Sequence, residues 1–411
     1  MRLPMIDTRL PRPVQTLQLG GLCNAFGNGL VLPFTLIYLH NVRGISLSLA
    51  GLVLATNAAV ALVAGPVSGP LVDRLGGRAV LAFALVLLAI GFGAFPFVHE
   101  PSQAFAAAIV TGAGNCFFWP AQSTLLVGHT PPDLRHITFA MQRVVMNLGI
   151  GLGALVGGLI ASTAHPSSFT VLFTVDALTF VVYLGVLLAF VPSPQIAGPA
   201  AGETAGRYVD VLRNGAFMRV IGLNALLIVA GFSGFELLPA YAKNEAGVSE
   251  GAIGVVFFVN TVVIVLSQLP ISRLSEGRRR TRMLALLGVT WACSWLLVPI
   301  AGIWLSGLTA ALLIGAAMAL FAVGECLHGA VQGPLVADLA EPRLYGRYMA
   351  LSALSWSVGF AIGPAIGGPV LDAWPTGVWV GAAALCLIGA ALALALEGSL
   401  PVSVRRNPVA A

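Results

Sequence analysis

Glu325 and His328, three residues apart in the stretch GECLHGAVQGP, are the most suggestive pair in the sequence. That spacing puts both on one face of a helix. A carboxylate beside an imidazole in weakly polar surroundings can take up and release a proton near neutral pH. A structural reading stands beside this one, in which Glu325 is a packed helix residue or its bond to His328 serves stability alone. Three more ionisable residues interrupt apolar runs and complete the candidates for proton coupling: Glu236 in GFSGFELLPAYA, Asp176 in FTVDALTF and Arg143 in AMQRVVM. Glu236 and Asp176 lie where either could reach the outer interface, and the long stem of Arg143 could carry its head to the cytoplasmic end of its run.

Uncharged polar and aromatic residues form a second set: Asn24, Asn28, Asn115, Trp119, Gln122, Asn147 and Trp356. Each alone is better explained by hydrogen bonding or packing between helices than by ligand contact. As a group, aromatics beside few charges suit the cavity of an apolar or cationic amphiphile better than that of a sugar. Enzymatic chemistry has little to stand on. The chain holds no phosphate-cradling G-x-x-x-x-G-K-[ST], no H-E-x-x-H and no nucleophile with a plausible base partner. Its five cysteines, Cys23, Cys116, Cys293, Cys326 and Cys386, have no metal-ligand spacing and read as small core residues. No cofactor, metal or nucleic-acid partner is expected, and ATP-driven transport is not supported.

The elements that must position these residues follow from composition. Of 411 residues 58% are hydrophobic and only 9% charged, with 48 glycines and a mean hydropathy of +0.93, whereas about a quarter of the residues in soluble domains are charged. The partner of such a surface is a lipid bilayer. A spanning helix needs about 20 apolar residues, and breaks at charged, Pro-rich or Gly-rich points leave twelve such runs. The first six cover roughly 16–40, 47–72, 79–98, 103–128, 137–162 and 168–191, and the second six roughly 216–242, 249–273, 281–302, 307–336, 347–371 and 376–397. The start, MRLPMIDTRLPRPVQ, lacks the apolar centre and cleavage site of a signal peptide, so the first span is expected to stay in the mature protein.

Orientation follows from the basic residues. With both termini in the cytoplasm, eighteen of the 21 Lys and Arg residues fall inside, Arg43 and Lys243 fall outside and Arg143 lies within a span. A bias of that kind sets topology and argues for an even number of spans. The longest polar segment separates an N-terminal six-helix bundle (1–191) from a C-terminal one with a short cytoplasmic tail (216–411), so 192–215 reads as a cytoplasmic linker. GIGLGALVGG (149–158) in the fifth span returns as GFAIGPAIGG (359–368) in the eleventh, with four glycines at shared offsets. DRLGGR after the second span has a looser echo in RLSEGRRR after the eighth. The expected fold is therefore all-α and integral to the membrane, twelve transmembrane helices in two pseudo-repeated bundles, the parallel-repeat plan of many secondary transporters.

The hairpin GPLVDRLGGRAVL (69–81) resembles the signature loop of the major facilitator superfamily, G-x-L-x-D-R-x-G-R-[KR], through Gly69, Leu71, Asp73, Arg74, Gly76 and Arg78. Gly77 stands where a basic residue is usual. The resemblance covers the whole chain. It implies that Asp73 pairs across the two halves near the start of the eleventh helix and holds the cytoplasmic side closed, with the loop acting as a conformational latch. Within the superfamily, Gly359, Gly363, Pro364, Gly367 and Gly368 resemble the G-x-x-x-G-P-x-x-G-G motif of drug:proton antiporters. There the motif lies in the fifth span, where this chain has Ala154 for the proline. The fourth span also lacks the arginine common in that branch.

Residues and resemblance together point to a secondary transporter working by alternating access in the cytoplasmic (inner) membrane as a monomer. The expected activity is proton-coupled efflux of a hydrophobic or amphiphilic small molecule, a multidrug or metabolite exporter, with Glu325 first and Glu236 second as the coupling acid. An importer or uniporter of a neutral metabolite, or a non-transporting membrane sensor of the same fold, remain the alternatives.

Overall fold

The computed structural model describes residues 10–131, 134–193, 208–341 and 344–407. Among them are twelve helices long and apolar enough to cross a membrane. In the first half these are α1 (Arg12–Val42), α2 (Leu47–Leu75), α3 (Gly77–Phe97), α4 (Pro101–His129), α5 (Ile137–Ile160) and α6 (Ser167–Phe190). In the second they are α7 (Gly215–Asn244), α8 (Glu250–Ser275), α9 (Arg280–Trp304), α10 (Gly307–Leu339), α11 (Gly346–Ala373) and α12 (Pro375–Ser399). The chain divides by its contacts into Met1–Gly202 and Glu203–Ala411. Most of the expected linker lies outside the described residues. Its final part forms a short turn of helix at Tyr208–Leu212, and the Arg347 guanidinium lies 5.5 Å from the Tyr208 ring.

Local chemistry explains where the helices begin and end. The corner between α1 and α2 reads Gly44-Ile45-Ser46 and that between α7 and α8 reads Gly247-Val248-Ser249. In both, the aliphatic residue is buried and the serine caps the next helix by accepting a backbone N–H at 3.3 Å. This short repeat, 203 residues apart, adds to the glycine pattern as a mark of two related halves. At the hairpin after α2, one residue makes the reversal: Gly76 has φ +81°, a conformation that favours glycine. Gly77 instead opens α3 and packs close to α4, where a Cβ would lie 3.1 Å from the Ala121 carbonyl. Its absence of side chain serves packing more than turning.

Two of the spanning helices contain a π turn. α1 has a π turn at Tyr38–Val42 and α7 one at Ile228–Phe232. Neither was expected from periodicity, since one wide turn hardly disturbs an apolar run. A further departure concerns Cys293, expected in a core and found exposed on α9. In a spanning helix the outer face is as apolar as the inner one, so composition does not separate them.

The cytoplasmic end expected for the second half is closed by a strap. Residues 402–407 return from α12 to the α8–α9 corner, where Gly277 has φ +67°. Arg280, fully buried at the start of α9, is held on three sides: Nε donates to Asn407 Oδ1 at 2.9 Å, Nη1 to the Val404 carbonyl at 3.2 Å and Nη2 to Asp338 Oδ2 of α10 at 2.5 Å. The Asn407 amide donates in turn to the Ser275 carbonyl at 3.2 Å. Nearby, Arg279 pairs with Glu397 at 2.6 Å, and the Thr281 hydroxyl donates to the same carboxylate at 2.9 Å. A buried guanidinium is tolerable only with its donors met. Asp338→Asn removes the counter-charge but keeps the shape. It is expected to cost about 1.5–3 kcal/mol, the range for hydrogen bonds to charged groups, read as a lower unfolding midpoint of the purified protein; an unchanged midpoint would show that the strap carries no stability.

Candidate functional site

In the second half, Glu325 and His328 rise from α10 toward different neighbours. Asn260 of α8 donates through Nδ2 to Glu325 Oε2 at 2.8 Å. His328 Nε2 lies 2.7 Å from Asn224 Oδ1 of α7, and Asn224 Nδ2 donates to Ser355 Oγ of α11 at 2.7 Å. The direction of this chain is set at its far end. Ser355 gives its hydroxyl proton to the Ser352 carbonyl at 2.6 Å, so it accepts from Asn224, and the asparagine must then accept from the imidazole. His328 therefore carries a proton on Nε2. One polar chain ties α10 to α7 and α11, while the acid one turn away is anchored on α8.

Aromatic rings surround His328. Phe232, placed by the π turn of α7, lies 5.0 Å from Trp356, 5.7 Å from Phe321 and 5.2 Å from Trp291 between ring centroids. Trp356 meets the His328 ring edge-on at 5.4 Å. Trp291 fits here because Gly231 and Gly324 have no side chains; a Cβ on either would overlap its indole. Phe232, Glu325 and Trp356 are each only partly buried. Glu236, one turn beyond the π segment, is also partly buried and has no hydrogen-bond or ion-pair partner among the described residues.

The first half holds a different arrangement. Asn57 of α2 donates to Thr111 Oγ1 of α4 at 2.7 Å and accepts from Asn115 at 3.3 Å. Gln122 donates to the Tyr183 hydroxyl at 3.3 Å, and that hydroxyl reaches the Leu17 carbonyl of α1. Asn24 and Gln122 are both 1% exposed, so they face the interior of the bundle. Asn28 donates to Asn24 at 3.5 Å, and Asn147 turns back to the Arg143 carbonyl at 3.0 Å. Trp119 is 46% exposed, and Arg143 is exposed with no side-chain partner among the described residues.

Asp176 corrects an expectation. It does not reach an interface but is 0% exposed, pressed against α1 where Gly27 leaves room. Among the described residues neither carboxyl oxygen has a hydrogen-bond partner, and Asn24 Nδ2 is likewise unmatched. The Thr179 hydroxyl donates at 2.7 Å to the backbone carbonyl of Asp176, not to its carboxyl group. Sequence reading also passed over Asn57, Asn224, Asn260 and Ser355. A search for asparagines in apolar runs, such as GLNALL and FFVNTVV, would have found three of the four.

The loop residues Asp73 and Arg74 are exposed, and Asp73 has no ion pair among the described residues. Arg78 donates from Nη2 to the Leu188 carbonyl of α6 at 2.6 Å. Gly69 stands in open space. The glycine series has a clear packing role. On α5, Gly149, Gly153 and Gly157 lie against the backbone of α1, and Cβ atoms there would strike the carbonyls of Leu22, Phe26 and Leu30. On α11, Gly359, Gly363 and Gly367 lie against α7, but they meet the side chains of Ile228, Ser233 and Leu237. Pro364 lies inside α11 and is buried, and Ala154, at the same offset on α5, is fully buried.

Comparison with known proteins gives one consistent result. The model of the Major Facilitator Superfamily matches residues 17–324 and 237–410. The MFS-type transporter YhjO of Bacillus subtilis is 25% identical over 95% of this chain and 94% of its own. The multidrug resistance protein MdtH of Cronobacter sakazakii is 28% identical over 84% of this chain and 82% of its own. Among solved structures, the nucleoside transporter NupG superposes with a TM-score of 0.78 at 13% identity, covering 93% of this chain and 99% of its own. A POT family transporter gives 0.79 at 14% identity over 95% and 96% of the two chains.

The two glycine faces differ in what would yield. Gly157→Ala puts a methyl group onto the Leu30 backbone at 2.7 Å, whereas Gly367→Ala meets only the tip of the Leu237 side chain. The first is expected to cost about 1–3 kcal/mol by overpacking. The second should be offset within about 1 kcal/mol by leucine rotation and the gain in helix propensity. Thermal unfolding of both variants measures the difference, and equal losses would count against it.

Proposed function

Because the chain belongs to the Major Facilitator Superfamily and is a membrane transporter of that family, we propose that its activity is proton-coupled export of a hydrophobic or amphiphilic small molecule by alternating access. The observation that carries this reading is the second-half cluster, where a partly exposed carboxyl lies one turn from an oriented imidazole that is walled by aromatic rings. A flat apolar or cationic substrate finds ring faces there and few hydrogen-bonding groups to match. Likeness to the multidrug resistance protein MdtH supports the same class of cargo.

Coupling needs one group whose proton affinity changes between two states of the cycle. Glu325 suits that task. Its hydrogen bond to Asn260 joins α10 to α8, so a movement of either helix alters what the carboxyl group meets. The bond from His328 to Asn224 likewise depends on α7 staying in register with α10. Glu236, without a partner among the described residues, stands second, and Asp176 and Arg143 are further candidates in the first half. The aromatic and amide residues Trp356, Trp119, Asn115, Asn28 and Asn147 are at least partly accessible and offer contacts to a ligand. We place the protein in the cytoplasmic membrane as a monomer with both termini inside.

Glu325→Gln keeps the shape and the bond to Asn260 but cannot release a proton. In vesicles with an imposed pH gradient it is expected to abolish proton-driven efflux while leaving downhill exchange of substrate. Proton-dependent efflux at the unmodified rate would remove Glu325 from the mechanism. Asp73→Asn addresses the loop. Turnover should fall several-fold with substrate affinity nearly unchanged, measured as transport rate against equilibrium binding, and unaltered kinetics would deny the loop a latching role.

A further inference from the structure

A groove of about 450 Å³ opens on the second half between the start of α7 and the end of α12. Arg219, Gly222 and Leu223 form one side, and Leu392, Ala395, Leu396 and Ser399 the other. Its cause is visible in the glycines. Higher up, the two helices touch at Gly389, where a Cβ would lie 2.9 Å from Leu227. Lower down, the space beside Gly222 is empty to 4 Å. The start of α7 and the last turn of α12 stay in contact, and the missing side chain of Gly222 leaves a gap between them. Its walls are apolar except for Arg219 and Ser399.

Arg219 is the unusual member. It lies only four residues into α7, is exposed, and has no ion-pair or hydrogen-bond partner among the described residues. The carboxylate of Glu397, in the same turn as Leu396 and Ser399, is already engaged by Arg279 and Thr281. The Ser399 hydroxyl donates to the Leu396 carbonyl at 2.8 Å. Among the described residues no acid at the groove balances the guanidinium. A cation at headgroup depth above an apolar slot matches one chemistry, a phosphate ester carrying a hydrocarbon tail. The volume agrees: at ~30 Å³ for each water-sized group, it holds about 15 methylenes, roughly one acyl chain.

We propose that this groove is a binding site for an anionic phospholipid of the leaflet that faces the chain termini, with its phosphate on Arg219 and one acyl chain beside Gly222. The site is independent of the transported substrate and of any coupled proton. It would favour phosphatidylglycerol over a zwitterionic lipid, because the guanidinium lacks an anion of its own.

The test uses the full-length protein in phosphatidylcholine nanodiscs, with phosphatidylglycerol titrated in and retention of lipid followed by native mass spectrometry and unfolding midpoint. Wild type should retain phosphatidylglycerol in preference to phosphatidylcholine. Arg219→Ala should weaken that retention about fivefold, the loss of one basic contact to an anionic headgroup, and Arg219→Lys should restore most of it. Gly222→Leu fills the slot without touching the charge and should weaken it as well, its unfolding midpoint in phosphatidylcholine alone serving as the check of folding. Equal retention of both lipids, wild-type retention by Arg219→Ala and Gly222→Leu, or equal stabilisation by glycerol 1-phosphate without a tail would each overturn the proposal.

Discussion

Close approach of two helix backbones, possible only where side chains are absent, is the constraint from which the rest of each half follows. Helices in lipid gain little from hiding apolar surface from one another, so they associate through packing and hydrogen bonds. In the first half the glycines of α5 lie directly on the carbonyls of α1, and Gly29 of α1 returns the contact against Ile150. That seam leaves no slack. In the second half the same positions on α11 meet side chains of α7, beside a π turn and two prolines, Pro364 and Pro369. The two halves thus repeat one plan with a stiff seam in the first and a more yielding one in the second.

The yielding seam borders the polar cluster. Asn224 lies on α7 before the π turn and Ser355 on α11 before the glycine series, so the chain from His328 runs along the contact most able to shift. A side chain that must satisfy fixed donors and acceptors in a medium without water reports small displacements strongly, because a lost partner there is not replaced by solvent. The first half offers the contrasting case of Asp176, a buried acid whose carboxyl oxygens have no hydrogen-bond partner among the described residues. Its placement depends on Gly27 and Thr179, both of them small enough to let α6 and α1 close around it.

Much of this architecture was legible in the amino-acid sequence. The spans were readable because lipid requires long apolar runs, and their observed ends lie within a few residues of the breaks marked by Pro, Gly and Arg. The glycine series was readable as a repeat, though not that one copy meets backbone and the other side chains. Burial was harder. Cys293 was misplaced because a spanning helix is apolar all round, so periodicity does not tell the face that meets lipid from the face that meets protein; Asp176 was expected to reach the outer interface, and its enclosure against Gly27 of α1 comes from a contact far away in sequence. Asn260 and Asn224 escaped notice because their importance comes from Glu325 and His328, 65 and 104 residues away. The contacts of Arg280 are no more visible, since each of its three partners lies 58 to 127 residues further on.

That last distance has a consequence in time. Asn407 leaves the ribosome 127 residues after Arg280, which at ~5–20 residues per second is about 6–25 s later. For that interval the guanidinium at the head of α9 lacks its amide and carbonyl acceptors and must stay hydrated at the membrane surface. The second half can assemble its helices in order of synthesis, but it can bury this residue only at the end. Completion of the bundle is thereby tied to completion of the chain through residue 407, and a nascent protein halted before that point carries an unburied charge at the α8–α9 corner.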